Sequence, residues 1–345
     1  MSLFATKPLS RIMAESEGEH SLKRTLGPMQ LVALGIGAII GAGLFSLTGI
    51  AAAHHAGPAV TISFVIAAIG CAFAGLCYSE FATMIPIAGS AYTYSYATMG
   101  ELLAWIIGWD LVLEYAVGAA TVAVSWSGYV NSLLLDFGLH LPVQWINSPF
   151  SKVTLENGEV VHGIMNVPAI LVVGAITAIL IIGIQESARV NAVVVVLKVM
   201  VVVLFIIMGW AYINPSNYTP YVPENTGLFG HFGWSGVLRG AGVVFFAFIG
   251  FDAVSTAAQE AKRPQRDMPI GIIGSLIVCT ILYVLFAHVM TGIAPFMELD
   301  SAAPVAVAVD KTPYAWLKTA VKLAIIAGYT SVILVMLLEI GRAHV

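Results

Sequence analysis

A glycine-rich stretch, GIGAIIGAGLF from Gly35 to Phe45, interrupts an apolar run that extends from about Met29 to Ile50. Its glycines weaken a helix from within, because a glycine in a helix interior costs about 1 kcal/mol relative to alanine. In a membrane, a loosened helix exposes N–H and C=O groups that hydrocarbon cannot satisfy, so a break is tolerated only against protein or a polar cavity. The stretch therefore predicts an interrupted membrane helix whose break is a candidate site for a small solute.

The same glycines have a second interpretation. Gly37 and Gly41 form a GxxxG pair, which is typical of close packing between membrane helices. The segment alone leaves both interpretations open. A dinucleotide-binding fingerprint is not present, because its third glycine would fall at Ile40 and no strand precedes the stretch.

Composition places the whole chain in a membrane. Apolar residues make up 59% of the chain and charged residues 10%, whereas an ordinary soluble domain is about 25% charged. With about 20 apolar residues per membrane helix, the sequence predicts eight spans. They lie near 29–50, 58–84, 93–126, 167–184, 191–213, 236–258, 270–294 and 319–338. The net charge of −4 is spread thinly and predicts no nucleic-acid partner.

Basic residues and the two ends of the chain indicate its orientation and its domains. Residues 1–28 are polar and are expected to be a cytoplasmic N-terminal tail, because more lysine and arginine residues share its side of the membrane than lie opposite. Residues 29–338 form the predicted membrane domain, which we expect to be incomplete after its eighth span. Residues 339–345 resemble a translated sequencing adapter and are treated as a non-native tail.

A second interruption is predicted in the sixth span, in VVFFAFIGFDAVSTAAQE from Val243 to Glu260. Gly250 lies mid-span beside Asp252, and a lone aspartate in a span is costly unless it faces protein or water. Asp252 is interpreted either as a cap for the N–H groups of the following half-helix or as a ligand contact. Interrupted spans five apart are expected of two five-helix repeats of opposite orientation around a central site.

Two long loops separate some of the spans. The loop 131–166 is predicted to be an extracellular excursion. The loop 294–318 contains prolines and short apolar pieces, and is interpreted either as a helical hairpin that forms an outer lid or as an inert connector.

Three motifs carry a resemblance to a known family. They are GIGAIIGAGLF, FFAFIGFDAVSTAAQEAKRPQRDMPIGI from Phe245 to Ile272, and YSEFATMIPIAGSAYTYSYATMGELLAWIIGWDLVLEY from Tyr78 to Tyr115. The chain resembles the amino acid–polyamine–organocation superfamily and, within it, the bacterial form of the cationic amino acid transporter family. The resemblance implies an all-α integral membrane protein with the inverted five-plus-five helix repeat (LeuT-like) fold, truncated here after about eight transmembrane helices.

The resemblance also implies where an amino acid binds. Its carboxylate is held by N–H groups at the start of the second half of span one, a helix terminus that suits an anion. Its ammonium group is held by carbonyls at both breaks, and Phe246 matches an aromatic gate position. The candidate substrate-binding residues are Ile40, Gly41, Ala42, Gly43, Phe246, Ala247, Ile249 and Gly250.

Charged side chains within the spans add further candidates. A charged Lys198 in span five costs a few kcal/mol, and the resemblance implies that its proton is the coupling ion. The alternative is a structural lysine bonded permanently to carbonyls of span one. The resemblance places Glu114 near the transport path, where it favours cationic side chains or pairs with Arg239; the alternative is a buried structural carboxylate. The remaining candidates for the pathway or its specificity are Phe248 and Asp252.

Together these features predict a secondary transporter that imports small neutral or cationic amino acids with protons, by alternating access, in the plasma membrane of a bacterium. A non-transporting sensor or scaffold of the same fold is the alternative. The sequence contains no HExxH, GxSxG or Walker motif, so an enzyme is not expected. No metal or organic cofactor is predicted, only the proton as coupling ion. The expected partners are the amino acid, membrane lipid and a small single-helix membrane protein.

Overall fold

Long apolar helices dominate the structure. The computed structural model describes residues 5–10, 24–87, 89–154, 160–182 and 188–343. The α-helices are α1 (Pro28–Ile39), α2 (Thr48–Ala51), α3 (Val60–Met84), α4 (Ser90–Thr98), α5 (Glu101–Asp136), α6 (Val167–Ile181), α7 (Ala188–Gly209), α8 (Gly233–Phe245), α9 (Ala253–Thr256), α10 (Pro264–Ile293), α11 (Pro304–Asp310) and α12 (Ala315–Ala343). Two short strands, β1 (Lys152–Thr154) and β2 (Val160–His162), form an antiparallel hairpin.

Several tighter or wider helical turns connect these elements. The π-helical turns are Gly43–Leu47 and Ala52–Ala56, on either side of α2. The 3₁₀ turns are Gly57–Ala59, Val143–Trp145, Trp210–Tyr212, Pro215–Tyr218, Phe246–Phe248, Ala257–Glu260 and Phe296–Leu299. Such turns are frequent at functional sites and helix ends, and two of them adjoin the predicted breaks.

Six helical segments of the described chain are long and apolar enough to cross a membrane. They are Gly43–Met84, Glu101–Asp136, Val193–Tyr212, Gly233–Glu260, Pro264–Ile293 and Trp316–Ile340. Two shorter apolar helices are α1 and α6. The structure is therefore that of a multi-pass, predominantly α-helical membrane protein.

The count differs from the eight predicted spans for two reasons. The first predicted span is divided, and its second half continues into α3 through consecutive helical turns. The fourth is α6, whose 15 residues are fewer than the roughly 20 that cross a bilayer. The third predicted span also differs, because Gly100, with φ of 101°, separates α4 from α5.

Packing among the helices brings the two predicted breaks to the centre. α10 packs along α3 and α1, α12 packs along α5, and α3 packs along α8. Large aromatic side chains in this core are fully buried, including Tyr129, Tyr283 and Tyr329. Apolar side chains on the outer faces are exposed, such as Phe73 at 68% and Ile207 at 66%. Helices that are apolar on both faces are expected where one face meets protein and the other meets lipid.

The loops and ends depart from the predictions in detail. α5 extends into the predicted loop 131–166, and the β-hairpin forms within that loop. The loop 294–318 contains the 3₁₀ turn Phe296–Leu299 and α11, so it has helical structure. Residues 1–4, 11–23 and 344–345 of the predicted tails lie outside the described residues, and α12 continues past Leu338 to Ala343.

Candidate functional site

The first broken helix opens at Ile40. α1 ends at Ile39, and Ile40 has an extended backbone with φ of −72° and ψ of 107°. Regular helical structure resumes with the π-helical turn that begins at Gly43. The interruption predicted from the glycine-rich stretch is confirmed, and it lies between two apolar helical segments.

Three consecutive N–H groups follow this break. The N–H groups of Leu44 and Phe45 donate to the Gly41 carbonyl, at 3.2 and 3.3 Å. Within the described chain, the N–H groups of Gly41, Ala42 and Gly43 have no hydrogen-bond acceptor, although all three residues are buried. Buried N–H groups are almost always paired, and N–H groups at the start of a helical segment attract anions. This row is therefore a candidate anion site.

The second broken helix opens after the 3₁₀ turn Phe246–Phe248. Ile249 is extended, with φ of −55° and ψ of 137°, and Gly250 has φ of +109°. Glycine adopts such a φ without the strain that a Cβ causes. A Cβ on Gly250 would also lie 2.7 Å from the carbonyl oxygen of Ala38. The break predicted at Gly250 is confirmed, and it faces the first broken helix.

The two breaks touch through their backbones. A Cβ on Gly43 would lie 2.8 Å from the backbone nitrogen of Ala247 and would overlap its Cα. Gly250 makes the reciprocal close approach to Ala38. The two interruptions therefore form one junction that only glycine permits at these positions.

The two glycines of the GxxxG pair have different surroundings, and each matches a different interpretation. Gly37 packs against the side chain of Val195 on α7, as a packing glycine does. A Cβ on Gly41 would meet only the Val332 methyl groups, at 3.6 and 3.8 Å, which is ordinary van der Waals contact. Gly37 therefore serves packing, whereas a side-chain carbon at Gly41 would make only ordinary contact with Val332.

The Asp252 carboxylate accepts hydrogen bonds at the second break. Its Oδ1 accepts a hydrogen bond from the Gly250 N–H at 3.2 Å, and its Oδ2 accepts one from the Tyr115 hydroxyl at 3.2 Å. The side chain is only 5% exposed. It makes no side-chain cap to α9, although Asp252 occupies the N-cap position. The carboxylate thus satisfies an N–H group freed by the break, and it also interacts with the backbone N–H of Ala253, the first residue of α9.

Tyr283 on α10 is a central side chain that the sequence analysis missed. Its hydroxyl lies 2.9 Å from the Ile39 carbonyl oxygen and 3.0 Å from that of Ala247. One hydroxyl proton can serve only one of these acceptors at a time. The Ala247 carbonyl, predicted to bind the ammonium group, therefore has a protein donor. The Phe246 carbonyl likewise accepts from the Ile249 N–H at 3.2 Å.

Replacing Tyr283 with phenylalanine is expected to weaken amino acid binding about tenfold while the protein still folds. The buried carbonyls of Ile39 and Ala247 would then lose the hydroxyl donor between them. A buried polar group left without its hydrogen bond costs about 1–3 kcal/mol. Binding measured by calorimetry checks the effect. Tyr221→Phe is the matched control, because its hydroxyl bonds Thr61 instead of a broken helix. Parental affinity in Tyr283→Phe would contradict a role at the junction.

Lys198 lies beside the first broken helix. Its Nζ donates to the Gly37 carbonyl at 3.2 Å, and the side chain is 3% exposed. Its stem packs against Gly328 of α12, where a Cβ would lie 3.1 Å from the Lys198 Cγ. The lysine therefore links α7 to the first half of the broken helix and to α12.

Glu114 and Arg239 lie apart in the structure. Glu114 on α5 is close enough to Asp252 for electrostatic interaction. The Arg239 side chain packs against Gly230, at the start of the second broken helix and near His55. The structure thus places Arg239 in α8, before the break, and Glu114 near Asp252, just after it.

The two candidate phenylalanines occupy different surroundings. Phe248 is fully buried, and its ring packs against Tyr283 with centroids 5.3 Å apart. Phe246 is half-buried, and its Cζ lies 4.0 Å from where a Cβ on Gly118 would be. The structure thus places Phe248 in the aromatic core and leaves Phe246 beside α5, near the junction.

Comparison with known proteins finds a permease family and individual transporters that are similar to this chain. A family profile described as amino acid permease matches residues 26–343. The branched-chain amino acid permease of Bacillus subtilis is 47% identical over 97% of this chain and 69% of its own length. The methylthioribose transporter of the same organism is 44% identical over the same shares.

A more distant relative comes from a plant. Cationic amino acid transporter 1 of Arabidopsis thaliana is 36% identical over 94% of this chain and 53% of its own length. The names of all three relatives describe transporters. Since the family profile covers nearly the whole chain, the chain belongs to the amino acid permease family of the amino acid–polyamine–organocation superfamily.

Proposed function

We propose that this protein is a secondary transporter that imports amino acids by alternating access across the plasma membrane of a bacterium, with its N-terminus in the cytoplasm. The observation that carries the proposal is the row of buried N–H groups at Gly41, Ala42 and Gly43, for which the described residues offer no acceptor. A carboxylate is the ligand that such a row accepts. The carbonyls of Ile40 and Ile249, which accept no hydrogen bond from the described backbone around the breaks, then receive the ammonium group.

The inverted five-plus-five repeat is part of the same proposal. Two interrupted helices that meet at mid-depth are the hallmark of this arrangement, in which the substrate lies at the interface of the repeats. The backbone contacts of Gly43 with Ala247 and of Gly250 with Ala38 support it. A site made of backbone groups at such an interface opens to either side as the repeats move.

An amino acid with a neutral, apolar side chain is the substrate that the surroundings favour. Val332 lies beside Gly41, in van der Waals range of a Cβ there. On α5, Gly118 faces the apolar side chains of Met336 and Phe246. The branched-chain permease of Bacillus subtilis, the relative with 47% identity, carries a name that agrees with such a substrate.

A cationic amino acid is the second candidate. Glu114 precedes Gly118 by one helical turn on α5 and lies near Asp252. Two carboxylates near the junction would favour a cationic side chain that reaches past Gly118. The plant relative named as a cationic amino acid transporter supports this alternative.

Uptake of labelled leucine, alanine and arginine into proteoliposomes, with and without an inward proton gradient, tests the function. We expect gradient-driven accumulation of leucine and alanine above that of arginine. Binding without accumulation would favour a sensor or scaffold. Because one relative is named as a methylthioribose transporter, and this thiosugar has no carboxylate, its uptake in place of amino acids would overturn the proposed carboxylate site.

A further inference from the structure

A helical loop covers the second half of the first broken helix. We call residues 295–312 the outer lid; it contains the 3₁₀ turn Phe296–Leu299 and α11. Gly49 of the broken helix packs under it, since a Cβ there would lie 2.6 Å from the Leu299 carbonyl oxygen and 2.7 Å from Pro304 Cγ. The lid therefore rests on the half-helix that begins with the N–H row.

One hydroxyl group joins the lid to this half-helix. Tyr129 of α5 is fully buried. Its hydroxyl donates to the Phe45 carbonyl at 2.6 Å and accepts from the Val305 N–H at 3.3 Å. The Phe45 N–H in turn donates to the Gly41 carbonyl. Tyr129 thus ties the lid to Phe45, and Phe45 is bonded through its own N–H to Gly41 at the break.

A second hydrogen bond also joins the lid to the same half-helix. The Ser46 hydroxyl donates to the Ala302 carbonyl of the lid at 3.2 Å. The same hydroxyl shares a hydrogen bond of 2.9 Å with Tyr329 of α12. Adjacent residues of the broken helix, Phe45 and Ser46, are therefore both tied to the lid through polar groups.

Ion pairs hold the rim of the lid. Asp300 pairs with His54 of the broken helix at 2.9 Å. Asp310 lies 3.7 Å from Lys322, a buried lysine of α12 that also pairs with Asp136 at 2.7 Å. Each contact joins an acidic residue of the lid to a basic side chain of a different helix. The structure thus holds the lid in a closed position.

We propose that the Tyr129 hydroxyl is a positioning group that couples closure of the outer lid to substrate binding at the N–H row. The inference rests on the proposed function of this site. Lifting the lid removes the Val305 N–H from Tyr129, and with it the polar contact that ties the lid to the Phe45 carbonyl of the half-helix. Coupling is reciprocal, so a substrate that orders the N–H row also favours the closed lid.

Cysteine labelling from the outside tests this coupling. Ala306 of the lid is 2% exposed, so Ala306→Cys, in a chain whose exposed Cys77 is replaced by serine, reacts only when the lid lifts. We expect Tyr129→Phe to raise the labelling rate by a membrane-impermeant thiol reagent about three- to tenfold, the effect of one net hydrogen bond. Leucine should slow labelling of the parent and should have little effect on Tyr129→Phe.

Tyr218→Phe is the matched control, because its hydroxyl donates to the His288 carbonyl at 2.7 Å, away from the lid. It should label and respond to leucine as the parent does. If Tyr129→Phe fails to fold, Val305→Pro removes the same hydrogen bond from the first turn of α11, where an N–H is not needed by the helix. Parental labelling rates in a folded Tyr129→Phe protein would overturn the coupling. The labelling rates of Tyr129→Phe and the parent without leucine test whether Tyr129 holds the lid, even if the protein transports no amino acid.

Discussion

Replacing Gly43 with alanine is expected to weaken amino acid binding, and transport with it, by up to about 100-fold. The added Cβ would overlap the Cα of Ala247 and lie 2.8 Å from its nitrogen. Backbone atoms cannot rotate away as a flexible side chain does, and overpacking of this kind costs about 1–3 kcal/mol, the upper end of which corresponds to about 100-fold. The half-helix that carries the N–H row would be displaced. Binding of labelled leucine to the purified protein measures the effect.

Two other glycines provide matched controls for this substitution. Gly70→Ala places a Cβ where nothing lies within 4 Å, so parental binding and thermal stability are expected. Gly41→Ala adds a Cβ beside the N–H row and meets only Val332 methyl groups. We expect it to keep the parental melting temperature and to lose about tenfold in affinity. Parental affinity in Gly43→Ala would show that the junction plays no part in binding.

The sequence predicted both breaks because their signals are local. Glycine clusters weaken a helix wherever it packs, and an aspartate beside Gly250 needs a polar partner inside the membrane. The resulting junction was also expected, since two interrupted spans five apart imply a shared site. The pairs of residues in contact, Gly43 with Ala247 and Gly250 with Ala38, depend on the rotation of each helix and were not predicted.

The role of Tyr283 shows what a single sequence leaves undetermined. A buried tyrosine hydroxyl usually has a hydrogen-bond partner, but nothing in the sequence showed that Tyr283 is buried at the breaks. The identity of that partner depends on how α10 packs against both broken helices. The same dependence applies to Glu114 and Arg239, because charge alone does not say on which side of the break in the second broken helix each side chain lies.

The predicted boundaries of the spans were less accurate than their existence. Apolar content alone cannot separate α4 from α5, whose division depends on the positive φ of Gly100. It also cannot show that the first predicted span continues through a π-helical turn toward α3. Apolar composition indicates which residues enter the membrane, whereas short backbone departures determine where one helix ends.

The pH-gradient dependence of uptake is expected to disappear when Lys198 is replaced by methionine. Methionine keeps the stem that packs against Gly328 and removes the ammonium group that bonds the Gly37 carbonyl. If the lysine proton is the coupling ion, the substituted protein should still bind leucine and exchange it across the membrane. Accumulation driven by an inward proton gradient should fall at least about tenfold, toward equilibration, a difference of about 1.4 kcal/mol in driving force.

Val195→Ala distinguishes this role of Lys198 from a purely structural one. Val195 lies three residues before Lys198 on α7 and packs against the same Gly37, but it carries no proton. If α7 merely supports the broken helix, both substitutions should lower stability and uptake at every pH gradient. If Lys198 carries the coupling proton, only Lys198→Met should lose the response to the gradient. A full gradient response in Lys198→Met would identify Lys198 as a permanent structural link to the first broken helix.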